Sequence, residues 1–97
     1  MDVTLLYFDG CPNWRNTDRQ LVELSSDLGF EVTHKLVGSA DEAQAIAFRG
    51  SPTVLIDGVD PFSDDKAPVG LTCRLYATPE GIRGAPSFTM LREALTR

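Results

Sequence analysis

The sequence predicts a single α/β domain over residues 1–97, ordered β-α-β-α-β-β-α, with a four-stranded mixed sheet and helices packed on it. Three observations predict this. Residues 3–8, VTLLYF, form an apolar run of β-formers. Trp14, Leu21, Leu24 and Leu28 recur at helical spacing directly after it, and residues 30–37, FEVTHKLV, then alternate as a strand does. A right-handed crossover through that helix makes the first two strands parallel.

Each element has its own local cause. VTLLYF is apolar on both faces, which suits a central strand, and Asp9-Gly10 ends it. Pro12 fits a first helical turn, where its missing N–H costs nothing, and Gly29 tolerates the left-handed conformation that closes a helix. The alternation of FEVTHKLV leaves one wetter face and predicts a strand at the sheet edge. Ser39-Ala40-Asp41-Glu42 is a capping box for a short helix through Ala43, Ile46, Ala47 and Phe48. Gly50-Ser51-Pro52 breaks it, and TVLI at 53–56 is a third strand closed by Asp57-Gly58. Pro61, Pro68 and Gly70 mark a long loop. Thr72 to Ala77 reads as a short fourth strand antiparallel to the third, and Ser87 caps a last helix with Phe88, Leu91 and Leu95 inward.

Composition narrows the functional classes. At 42% hydrophobic and 24% charged, the chain is neither disordered nor fibrous. A net charge of −5, with scattered Lys and Arg, argues against a nucleic-acid partner. The acidic residues Asp57, Asp60, Asp64 and Asp65 read as a solvated loop surface. No apolar stretch approaches the ~20 residues of a membrane span, and no basic region followed by an apolar one opens the chain. The expected setting is cytoplasmic with no membrane partner, so two cysteines read as reactive, metal-binding or merely buried rather than as a structural staple.

Cys11 sits in YFDGCPNW, where a strand gives way to a helix. Helix N-termini carry unpaired N–H groups and roughly half a positive charge, which favours a thiolate. Asn13 adds a polar contact and Arg15 a charge, whereas Asp9 opposes ionisation. Trp14 reads as a core anchor. Cys73, in GLTCRLY, carries two readings: a packed strand residue, or a resolving thiol or second soft ligand. In the expected sheet order it stands some distance from Cys11, unless the long acidic loop carries it across. His34 is expected on the covered face of its strand. Arg49 and Arg74 are candidates to attract the carboxylates of a small thiol. No spacing of Cys, His and carboxylates matches a zinc site, so no metal and no cofactor are expected.

Two motifs, FDGCPNW at the first strand-to-helix junction and GSPTVLIDG at 50–58, together with the element order, resemble the thioredoxin-like family over nearly the whole chain. The resemblance implies a cis peptide bond before Pro52, lying against Cys11. It also implies substrate contacts at Asn13, Trp14, Ser51, Pro52 and Thr53. Where redox members carry Cys-x-x-Cys, this chain has Cys-Pro-Asn-Trp, which leaves a monothiol arrangement. The expected function is a monothiol thiol–disulfide oxidoreductase with Cys11 as nucleophile, acting on a low-molecular-weight thiol or a protein disulfide. Two alternatives stand beside it: a soft-metal or organomercurial-handling protein using Cys11 and Cys73, and a non-catalytic module binding a partner around Trp14 and Pro52.

Overall fold

The computed structural model describes residues 1–63 and 67–96. Asp64 and Asp65 of the acidic run, and Lys66 and Arg97 among the scattered basic residues, lie outside them.

The chain opens with strand β1 (Asp2–Tyr7), then helix α1 (Trp14–Leu28), strand β2 (Glu31–Leu36), helix α2 (Ala40–Ala45) and strand β3 (Thr53–Ile56). Strand β4 (Tyr76–Thr78), strand β5 (Gly81–Arg83) and helix α3 (Phe88–Leu95) complete it. The main sheet has three strands in the order β2-β1-β3, with β2 parallel and β3 antiparallel to β1. Val3 faces Val32 on one side and Ile56 on the other, which fixes the register.

The expected four-stranded sheet, and with it the thioredoxin-like layout, is not found among the described residues. Thr72 to Ala77 does not join β3. Only Tyr76–Thr78 is a strand, and it pairs antiparallel with β5 in a separate two-stranded hairpin. The sequence reading missed β5 because each hairpin strand is three residues long, too short to show alternation. Local hydrogen bonds close the turn: the Thr78 hydroxyl donates to the Gly81 carbonyl at 2.7 Å and accepts from the Glu80 N–H at 3.2 Å. The architecture is a small α/β unit with a three-stranded mixed sheet, a satellite hairpin and three helices.

Successive side chains of β1 point to opposite faces, so this strand supplies both halves of the core. Val3 and Leu5 pack with Leu21 and Leu24 of α1, Leu91 and Leu95 of α3, and Phe30 and Val54. Each fully buried Leu contributes roughly 2 kcal/mol by its removal from water. Leu6 faces the other way, onto Val37, Ala43 and Phe48. The helix ends follow their sequence signals: Gly29 closes α1 in the left-handed region, and the hydroxyls of Ser39 and Ser87 accept from the N–H groups of Glu42 and Met90. Helix α2 ends at Ala45, short of Phe48, because Ala47 turns into positive φ. His34 is exposed rather than covered. At the free edge, α1 reaches it through Asp18, whose carboxylate lies 2.6 Å from its ring nitrogen.

Candidate thiol–disulfide site

Beyond Tyr7 the chain turns through Phe8-Asp9-Gly10, and the Cys11 N–H donates back to the Phe8 carbonyl at 3.3 Å. The Pro12 carbonyl then accepts from the Arg15 N–H at 3.2 Å, and Asn13 already has helical angles. Cys11 therefore directly precedes the turn that leads into α1, and none of its surface is exposed.

Cys11 is joined by a disulfide to Cys73, 62 residues away, with 5.7 Å between their Cα atoms. The expected separation of the two cysteines is thus overturned, and the monothiol arrangement gives way to a pair. The reason is the path of the chain after β3. Instead of adding a strand beyond β3, the returning segment runs alongside Gly50-Ser51 as an isolated parallel bridge. The Ser51 N–H donates to the Thr72 carbonyl at 2.8 Å, and the Arg74 N–H donates to the Ser51 carbonyl at 3.0 Å. Gly50 makes this approach possible: a Cβ there would stand 2.8 Å from Arg74 Cβ and 3.0 Å from its backbone N.

The peptide bond between Ser51 and Pro52 is cis. Ser51, Pro52 and Thr53 are all buried, and each takes a contact from the returning segment. Tyr76 donates its phenolic O–H to the Pro52 carbonyl. The Thr53 hydroxyl donates to the Gly50 carbonyl at 2.7 Å and accepts from Arg74 at 3.1 Å. Cys11 Sγ lies 3.8 Å from the Ser51 carbonyl oxygen, a contact in which the bonded sulfur has no proton to donate. Among the described residues, two buried hydroxyls, those of Ser51 and Thr17, meet no hydrogen-bond partner.

Arg74 organises the return. Its side chain is only 4% exposed and lies 2.6 Å from Asp60, bonded also to the Phe62 carbonyl and stacked over the Tyr76 ring. It is therefore not a surface attractor for anions, and Asp60 is not part of a solvated acidic run. Burial pushes the Tyr76 phenol well above its ordinary range; Arg74 opposes this and Asp60 reinforces it. Arg49 donates to the Ala67 carbonyl. The sequence reading missed Asp60 and Tyr76 as site-building residues. Their one signal was the alternation of Arg74 and Tyr76 downstream of an acidic loop.

Trp14 is half-buried, stacked on Tyr7 with ring centroids 4.3 Å apart and Arg15 above it. It packs against the core, as an anchor would. The Asn13 side chain packs against Gly84, where a Cβ would lie 2.2 Å from its amide nitrogen. It lines a polar cavity with Asn16, Gln20 and Arg83. Trp14 lines an open surface cavity with Arg15, Asp18, Arg19 and Val22. Among the described residues, no group of three or more Cys, His, Asp or Glu is placed to hold a metal ion, and no helix is long and apolar enough to cross a membrane.

No protein-family model, curated protein or solved structure matches this chain.

Proposed function

We propose that Cys11 and Cys73 form a reversible dithiol/disulfide centre and that the protein is a thiol–disulfide oxidoreductase. The observation that supports this most is the pairing itself: two cysteines 62 residues apart meet at the mouth of a helix. On reduction, the first turn of α1 favours the Cys11 thiolate through its unpaired N–H groups and partial positive charge. Burial of Cys11 works against ionisation, so the helix end has to offset desolvation. The cytoplasm is the proposed setting, because there a disulfide is an intermediate in exchange rather than a permanent staple.

A redox titration in dithiothreitol tests the proposal. The expected result is a reversible gain of two hydrogens per chain by mass on reduction and their loss on reoxidation, with the fold retained in the reduced form. A bond that dithiothreitol leaves intact, or a reduced chain that no longer refolds to the oxidised one, overturns it.

The same pairing favours a second reading. Two thiolates that close together suit linear coordination of a soft cation. One equivalent of Hg²⁺, bound tightly and lost in both Cys11→Ser and Cys73→Ser, is the expected result. Unchanged binding in Cys73→Ser removes this reading.

A further inference from the structure

The two sulfurs of the bond are not equivalent. Cys11 has no exposed surface, whereas Cys73 is exposed on the returning segment. A cavity of about 330 Å³ opens beside the bond, lined by Cys73 with Arg49, Pro68, Thr72 and Leu75, and Cys11 is not part of its lining. This volume is at the lower end of the range for small-molecule sites. The rim residue Leu75 is 71% exposed, so the mouth is open to solution.

We infer that an external low-molecular-weight thiol enters at Cys73, from this cavity, and that Cys11 is the sulfur released. This rests on the redox reading proposed above. It reverses the roles expected from the sequence, in which Cys11 meets the substrate and Cys73 resolves. Exchange requires the incoming thiolate to approach the attacked sulfur along the line of the bond it breaks, so access decides which sulfur is attacked. The thiolate forms a bond to Cys73 Sγ while the Cys11–Cys73 bond breaks, and the electron pair leaves on Cys11 Sγ. Cys11 is then a thiolate beside the first turn of α1, where anionic charge is favoured and a leaving group is improved. A second thiolate attacks the thiol-derived sulfur of the mixed disulfide, releasing the small-molecule disulfide and the Cys73 thiolate. Two small thiols are oxidised and one protein disulfide is reduced; the protons from the thiols end on the two cysteines or in solvent. Cys11 can also attack the mixed disulfide at Cys73 and return the first thiol, which makes it the internal nucleophile of the pair.

The Arg74 network makes the asymmetry persist after the bond opens. Ser51, Thr53, Asp60 and Phe62 hold Arg74 without the disulfide, so the segment next to Cys73 stays docked. Oxidised glutathione is the probe. The Cys11→Ser protein should form a mixed disulfide at Cys73 on the order of tenfold faster than Cys73→Ser forms one at Cys11, because reactivity follows access. Equal rates, or a faster reaction at Cys11, overturn the inference. If either variant fails to fold, the oxidised wild-type protein is treated with reduced glutathione, quenched in acid and mapped by mass. Glutathione on the Cys73 peptide supports the inference, and glutathione on the Cys11 peptide or no adduct on either overturns it. A wild-type bond that resists dithiothreitol defeats the redox reading instead, while the variant rates still report which sulfur is accessible.

Discussion

The first 56 residues and the returning segment 57–76 are held in place by different forces. The first region is a sheet between two apolar layers: Val3 and Leu5 are sealed on one face, Leu6 and Phe48 on the other. Among the described residues, the second has no strand before Tyr76. The Arg74 hub, the disulfide, backbone bonds to Gly50-Ser51 and Phe48, and a few apolar anchors such as Phe62 and Leu71 fix its course. Apolar burial is non-directional and adds up over many groups, whereas a polar hub is local and fails if one member is lost. The Cys11–Cys73 bond therefore stands where the two kinds of stabilisation meet.

Reducing the disulfide should separate them most strongly. A bond joining residues 62 apart removes enough freedom from the unfolded chain to contribute about 4 kcal/mol, by the chain-entropy account. Denaturant unfolding with and without reductant measures this; a difference below about 1 kcal/mol would mean that the returning segment holds itself.

Next in size are Arg74→Ala and Leu24→Ala, each expected to cost about 3 kcal/mol, for different reasons. The first leaves Asp60 without its cation and strips the hub; the second leaves a cavity in the apolar layer. The comparison sharpens when both are repeated under reducing conditions. Leu24→Ala should cost the same in either state, and Arg74→Ala should also release the returning segment, seen as faster hydrogen exchange at the Arg74 and Ser51 amides. Equal exchange in the two reduced variants would count against Arg74 as the organiser.

Tyr76 gives a smaller effect with a pH signature. Its folded pKa is raised by burial, so above about pH 10 the unfolded chain loses a proton that the folded one keeps. Stability from this group is complete below that pH and declines as pH rises toward the folded value. Tyr76→Phe should cost about 1 kcal/mol at neutral pH, from the lost bond to Pro52, and should flatten the decline above pH 10. An unchanged alkaline slope would exclude Tyr76 as its source. The smallest change is Ser39→Ala, about 0.5–1 kcal/mol for the lost cap of α2, with no effect on the rate of thiol exchange.

The same contrast explains what the sequence disclosed. The run VTLLYF, the helical period through Leu21 and Leu24, and the signals at Gly29, Ser39 and Ser87 are each set by neighbours within a few residues, and all three helices and the parallel β1–β2 pair follow from them. The returning segment depends on Arg74 meeting Asp60, 14 residues back, and on Ser51 accepting a bridge from across the fold. No local period encodes either. The four-stranded sheet is therefore expected where the chain instead lies along Gly50-Ser51, and the sheet order alone does not bring Cys73 to the sulfur to which it is bonded. The residues around Pro52 were legible as a junction, but their partner is the protein's own chain.

The bond between Cys11 and Cys73 also divides the chain topologically. Residues 11–73 form a closed ring, and β1 and α3, which supply Val3, Leu5, Leu91 and Leu95 to one core, are tails on either side of it. A protease that cuts once inside the ring leaves two pieces that still travel as one molecule, and only reductant parts them.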